Sequence, residues 1–418
     1  MNHSVKISSL FFAFILIGTY SYYVYTHSQT EKMPISITFS EPYSAKEIES
    51  LVRIVQNDID EYLRKIHVTY QFQFRAEYLP FISEISDEEQ PYRDPLNITI
   101  DIKKSGTRLI VGHQFSPQCK SALNYTNKNG MFMISPYSSD DSLAIANDSL
   151  FRLKCVDSYQ GSITAKMLKS LGIHQIVIIY LDIQWGNNIR NRLISEYTST
   201  GGDVIDQIGY TSSTNLTDFL GRIEAETQNA LSKYSSQETG LVAISIFDLI
   251  DIMRMIDNYP ALRSITWFGT DAIPSKLSKE VFESEVSEMY ADVKIICPSS
   301  APSYSTFYQR VDERFYKETG EHIDFTQAAI YDACWIYTLS VLEAKSTDSA
   351  MLKYIIPSVC ARYIGVTGNC SLNQFGDRAN TNYDIYRFFK DFDGVKLLTC
   401  GLYNMTNDMF NWKREMPP

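Results

Sequence analysis

The chain has 418 residues, 44% of them hydrophobic and 21% charged, and a formal net charge of −11. That is material for two or three domains with a sizeable core, and a mean hydropathy of −0.18 excludes a multi-span membrane protein. A pI near 5.1 without any basic stripe argues against nucleic acid as a partner, because phosphate neutralisation requires clustered Lys and Arg.

From Ile7 to Thr30 there is no charged residue, and Leu10–Ile17 is a continuous apolar run preceded by Lys6. This reads as an export segment, assigned residues 1–33. With Tyr20, Tyr22, Tyr23 and Tyr25 at the outer interface the run reaches across a bilayer of about 30 Å, so an uncleaved membrane anchor is favoured over a removed signal peptide. Cys119 is the first cysteine, which excludes a lipid-bearing amino-terminal cysteine. The remainder is expected on the extracellular face, either anchored to the cell membrane or secreted after cleavage. Glycosylation sequons at Asn97, Asn124, Asn147, Asn215, Asn369 and Asn404 agree with export. Seven cysteines permit up to three disulfides, and Cys360 with Cys370, bracketing Gly365–Gly368, is the first candidate pair. No C-x-x-C pair is present, so zinc is not expected.

In the exported part, Ile35–Phe39 alternates as a strand. Glu47–Ile66 places Ile48, Leu51, Val52, Val55, Ile59, Leu63 and Ile66 at helical spacing. Tyr70–Tyr78 alternates again, and Ser83–Pro95 is an acidic loop. Two short apolar segments follow, Ile98–Ile102 and Leu109–Val111, then a helix from Pro117 and a strand at Met131–Ile134. Further strands begin near Ile176, Val204, Leu241 and Ile265, each separated by a helical pattern. Parallel strands need crossovers of that size, so this is a βαβ series. Helices near Phe307–Lys317 and Gln327–Leu342 and a hairpin, Tyr383–Phe388 with Val395–Tyr403 about Asp393-Gly394, complete the chain. Two α/β series meeting near residue 157 predict two lobes.

Phosphate-loop, dinucleotide, zinc-protease, nucleophile-elbow and calcium-loop motifs are all missing, and the histidines at 3, 27, 67, 113, 174 and 322 have no metal-ligand spacing. The expectation is a binder without cofactor, metal or catalytic residues. An exported enzyme on the same fold would need a paired base and nucleophile in its cleft, and no such pair is found.

In open parallel sheets ligands bind beyond the carboxyl ends of the strands. After Leu109–Val111 comes Ser116-Pro117, a cap and first-turn pair that presents backbone N–H groups to a carboxylate; the plainer alternative is that Ser116 only caps its helix. After Met131–Ile134 comes a loop with Tyr137, Ser138 and Ser139. Trp185 follows the strand at Ile176, and Asp271 the strand at Ile265. Each has an ordinary role open to it, as turn serine, lobe-packing Trp or capping Asp. Their coincidence at strand ends points to a cleft, with a Ser-lined helix start for a carboxylate, Asp271 for an ammonium and Trp185 as lid. Such a set suits a zwitterion, since every buried charge needs a partner.

The order of Arg108-Leu109-Ile110-Val111-Gly112-His113, Gly130-Met131-Phe132-Met133-Ile134-Ser135-Pro136, Phe151-Arg152-Leu153, Asp157-Ser158-Tyr159-Gln160-Gly161, Gln184-Trp185-Gly186 and Ala329-Ile330-Tyr331-Asp332-Ala333 resembles the branched-chain amino-acid-binding class of type I periplasmic binding proteins. The likeness is good over residues 105–345 and weak at the flanks. It implies an α/β fold of two Rossmann-like lobes with parallel sheets joined by a three-segment hinge, lobe 1 being 34–157 plus 299–382 and lobe 2 being 158–298 plus 383–418. It also implies capture of a small polar solute, an amino acid or related compound, for the permease subunits of an ABC importer, or alternatively a membrane-anchored receptor or sensor ectodomain. By the same likeness Ser116, Ser138 and Ser139 hold the ligand from lobe 1, Trp185 closes from lobe 2 and Asp271 meets the amine. Two departures stand out. Tyr137 replaces a typical glycine and would narrow the pocket, and Ser40-Glu41-Pro42-Tyr43 replaces a Gly-rich loop.

Overall fold

The computed structural model describes residues 31–40, 43–68, 70–79, 94–245, 249–274 and 286–413. Residues 1–30 of the expected export segment and nearly all of the acidic loop lie outside the described residues, whereas Glu31–Met33, assigned to that segment, instead open a strand of the first sheet. No helix among the described residues is long and apolar enough to cross a membrane.

The first sheet is built from β1 (Glu31–Phe39), β2 (Tyr70–Tyr78), β3 (Leu109–Val111), β4 (Phe132–Ser135) and β5 (Leu150–Arg152), all parallel in the order β2-β1-β3-β4-β5. Helices cover both faces, which is why its central strands are continuous apolar runs: Leu109, Ile110, Val111, Phe132, Met133 and Ile134 are all buried. Helix Ala45–Lys65 starts at a reciprocal cap between Ser44 and Glu47 and buries Leu51, Ile54, Val55, Ile59 and Leu63. Ile98–Ile102 lies within helix Pro95–Lys104. There the Asp94 carboxylate accepts from Leu96 N and Pro95 stands in the first turn, and these end signals outweigh the β-branched alternation. Helices Thr306–Thr319, Phe325–Ala344 and Ser349–Arg362 return from the far end of the chain to the same core, placing Val311, Phe315, Ile336, Leu352 and Ile356 with Ile35 and Leu51.

The second sheet contains β6 (Gln175–Leu181), β7 (Asp203–Tyr210), β8 (Thr239–Ile244), β9 (Thr266–Phe268) and β10 (Ile296–Ala301), parallel in the order β7-β6-β8-β9-β10. The four strands expected from Ile176, Val204, Leu241 and Ile265 are thus present. Helices Ser158–Ser170 and Gln184–Ser199 pack closely beside it, and a Cβ at Gly161 would stand 2.5 Å from the Ile189 carbonyl oxygen, which makes glycine the residue that fits. After the short pair β11 (Ile364–Gly365) and β12 (Gly368–Asn369), the expected hairpin forms as β13 (Asn382–Asp391) and β14 (Gly394–Asn404). It extends the second sheet antiparallel to β10, and β15 (Met409–Trp412) is added at its edge. The two sheets share one doubly wound strand order, with their carboxyl ends the expected place for a ligand.

Where the chain passes between the sheets it is tightly tied. Arg152 N donates to Gly376 O and Arg378 N to Arg152 O, each at 2.9 Å. The buried Arg152 guanidinium meets Asp377 Oδ1 at 2.6 Å, and that of Arg378 donates to Leu153 O at 3.1 Å and to Thr367 O and Asn369 O at 2.7 Å.

All seven cysteines are buried free thiols. The expected Cys360–Cys370 bridge is therefore not formed. Instead the Cys370 thiol faces Gly368 O at 3.5 Å and the Asp332 carboxylate at 3.8 Å, and the same carboxylate gathers Val366 N, Thr367 N and the Thr367 hydroxyl, closing the loop without a covalent link.

Candidate ligand-binding site

Ser116 opens helix Ser116–Lys128, but its hydroxyl serves a neighbouring loop. Oγ accepts from Ser139 N and Asp140 N, both at 3.1 Å, and lies 3.0 Å from Ser138 Oγ. With two amides on its lone pairs, the hydroxyl has its own proton to give to Ser138. Ser135 Oγ accepts from Ser138 N at 3.0 Å, and Ser139 O accepts from Asp157 N at 2.7 Å. Ser116, Ser138 and Ser139 are thus brought together as the brace of the loop that carries Tyr137, and the brace runs on to the first crossing between the sheets.

Asp271 follows β9, from the second sheet. Its carboxylate meets the Lys154 ammonium at 2.7 Å, with the two side chains only 8% and 5% exposed. Lys154 follows β5, from the first sheet, and its Nζ lies 3.6 Å from the centroid of the Tyr137 ring. Gln160 Oε1 accepts from Asp271 N at 3.0 Å. An ammonium on an acid and an aromatic face is what was expected of a ligand amine, and here the chain supplies it. Burial opposes the charge on Lys154, but the adjoining Asp271 carboxylate raises its pKa well above the ordinary lysine value. The nearby Asp157 carboxyl is pushed up to about 7 by burial, against the lowering effect of Lys154. Trp185 is half-buried at the start of helix Gln184–Ser199, against the core of the second sheet, and does not line the cavity described next.

Beyond Tyr137 lies a cavity of about 320 Å³. From the first sheet and its helices it is lined by Tyr43, Gln114, Phe115, Tyr137, Tyr308, Asp324 and Phe325; from the second by Pro274, Ser299, Ser300 and Tyr386, with Tyr304 at the crossing after β10. Tyr43 donates to Asp324 Oδ2 at 2.9 Å, Tyr308 donates to Ile323 O at 3.1 Å, and Tyr304 donates to Asp384. Phe115 and Tyr137 meet edge to face at 6.0 Å. Of the six site residues read from the sequence, Tyr137 alone lines this space. The aromatic residues at 304, 308 and 386 were not singled out, and Tyr43 was noted only as part of the segment that replaces a Gly-rich loop; in a chain with 28 Tyr their type carries little signal. Lys154 had a readable signal: a basic residue inside Leu150–Val156, an otherwise mostly apolar run, must find a buried acid. His113, beside β3, is fully buried between Thr99 and Thr38 hydroxyls at 2.8 and 3.3 Å, and burial lowers its pKa to about 4.

Two doubly wound sheets with a cavity between their carboxyl ends define a two-body ligand-binding module of the type I periplasmic-binding-protein fold. The chain belongs to the receptor family ligand binding region family, which matches residues 83–390. An uncharacterized protein of Methanocaldococcus jannaschii is 26% identical over 333 residues, 74% of this chain and 75% of that one. Among solved structures, an ABC transporter substrate-binding protein from Desulfitobacterium hafniense in complex with leucine superposes with a TM-score of 0.67 at 17% identity, covering 88% of this chain and 100% of that one. A solute-binding protein of an R. palustris ABC transporter in complex with 4-hydroxybenzoate gives 0.65 at 12% identity, covering 88% and 96%.

Proposed function

We propose that the chain is an exported solute-binding protein that closes two lobes on a small solute and presents it to the permease subunits of an ABC-type importer. The observation that carries this reading is the cavity of about 320 Å³ lined from both sheets, small and concave as solute sites are. Structural relatives described as ABC transporter substrate-binding proteins support the transport role. The lobes are the bodies built on the two sheets, hinged where the chain crosses near Leu153–Asp157, Pro302–Ser305 and Ser371–Thr381. Closure follows from the solute's preference for the form in which both walls touch it. Tyr137 is the wall residue of this site, with Ser116, Ser138 and Ser139 holding its loop. Asp271, paired with Lys154, joins the lobes. The N-terminal segment holds the protein at the extracellular face of the membrane.

Thermal unfolding of the full chain against a panel of amino acids, amides, amines and aromatic acids tests this. A solute at a hundredfold over its dissociation constant adds about 2.7 kcal/mol of stability. A cavity that binds none of these classes refutes the proposal.

A further inference from the structure

We infer that Lys154 sets the specificity of the solute site by filling a subsite for a ligand ammonium from within the chain, so that solutes carrying an α-ammonium are excluded while the lysine is in place. This rests on the solute being held between the two sheets, as proposed above.

The subsite has the parts that recognise a primary ammonium. Asp271 Oδ2 lies 2.7 Å from Lys154 Nζ and the Tyr137 ring centroid 3.6 Å from it, an acid and an aromatic face on one cation. Asp271 follows β9 of the second sheet and Tyr137 follows β4 of the first, so they meet at the carboxyl ends of both sheets, where such folds take ligands. The acid is oriented before any solute arrives, because Asp271 N donates to Gln160 Oε1 at 3.0 Å. The Asp157 carboxyl, at the start of helix Ser158–Ser170, acts on the same ammonium.

The occupant is held by its backbone. Leu153 N donates to Ser135 O at 2.9 Å and Leu153 O accepts from the Arg378 guanidinium at 3.1 Å, which fixes the chain next to Lys154. A group tethered in this way enters the subsite without the loss of translational freedom that a free amine bears. An amino acid therefore has to displace a competitor with that advantage.

The carboxylate half of a zwitterion site is filled from within as well. Ser116 Oγ already accepts from Ser139 N and Asp140 N and lies 3.0 Å from Ser138 Oγ. Tyr137 is the partition between subsite and cavity: one ring takes the lysine ammonium and also lines the cavity, so the solute lies beside an ammonium that the protein provides.

The test is calorimetric titration of the full chain carrying Lys154→Ala with n-propylammonium, the part of the lysine side chain that this substitution removes, and with 1-propanol as its uncharged analogue. The variant should bind n-propylammonium at least about tenfold more tightly than 1-propanol, and about tenfold more tightly than the native chain binds it, the worth of a hydrogen bond to a charged group. Adding Asp271→Asn to Lys154→Ala should abolish the preference. In the native chain leucine should bind no more tightly than 4-methylpentanoate, which is leucine without its amine, and this comparison decides the matter should Lys154→Ala not fold. A folded Lys154→Ala that takes n-propylammonium no better than 1-propanol overturns the inference and leaves solute capture standing. A native chain that binds leucine more tightly than 4-methylpentanoate does the same. If no solute class of the unfolding panel binds the native chain, the reading beneath falls and the specificity role falls with it.

Discussion

Replacing Lys154 by Met keeps the length of the side chain and removes its charge, leaving Asp271 buried against Tyr137 with no cation. The pair is 2.7 Å apart and its side chains are 5% and 8% exposed, so solvent screening does little to reduce the loss. Breaking a buried pair by removing one partner costs roughly 3–5 kcal/mol, and the lost contact with the Tyr137 ring adds about 0.5–2 kcal/mol. Because Lys154 follows a strand of the first sheet and Asp271 a strand of the second, separation of the lobes lets water reach the orphaned carboxylate. Part of the loss should therefore appear as an open population, since about 3 kcal/mol is a shift of more than a hundredfold between two states. The assay is a pair of measurements on wild type and Lys154→Met: small-angle scattering for the radius of gyration and thermal unfolding for stability. The variant should be more expanded and less stable. Lys154→Met combined with Asp271→Leu should recover most of the stability, because an apolar pair of similar volume replaces a buried ion pair at little cost. A Lys154→Met variant with wild-type scattering and wild-type stability would refute the reasoning.

Other expectations follow from the same region. The Asp157 carboxyl titrates at about 7 in the folded chain against 3.8 as its ordinary value. The folded state thus keeps a proton that the unfolded state releases, and the stability this contributes is full below about pH 4 and lost as pH rises to about 7, at most about 4 kcal/mol. Asp157→Asn should gain on wild type over that window in melting curves taken across it; parallel curves would show that Asp157 is not held protonated. Ser116→Ala strips the acceptor from Ser139 N and Asp140 N, a loss of roughly 1–3 kcal/mol, and should speed hydrogen exchange at those two amides and weaken solute binding through Tyr137. Arg152→Met leaves the buried Asp377 without its cation and should cost roughly 3–5 kcal/mol in urea unfolding. An unchanged midpoint would mean that this crossing is not held by the pair.

Much of the fold was legible because strands buried on both faces are short continuous apolar runs. Gln175–Leu181 and Thr239–Ile244 show this clearly, and helix-length gaps between such runs leave few alternatives to a parallel sheet. Helix Ser349–Arg362 was not read: it carries Pro357 inside and has little one-sided periodicity, so the Asp348 cap is its main local signal. The site was legible only in part. Loops after strands can be located from local pattern, which found Ser116, Tyr137, Ser138 and Ser139. What those side chains bond to depends on residues far away in the chain. Lys154 finds Asp271 across 117 positions and Arg152 finds Asp377 across 225, separations at which no periodicity operates. The aromatic lining is the same case, since Tyr43, Tyr308 and Tyr386 meet only once both sheets and the helices from the far end of the chain are in place.

The central claim is that a solute sits between the two sheets in the cavity beside Tyr137. A crystal structure of the chain with whichever solute most raises its unfolding temperature tests that claim most directly. The account predicts the solute enclosed by both sheets and against the Tyr137 wall. A solute bound outside this cavity, or bound to one sheet alone with the other turned away, would contradict it.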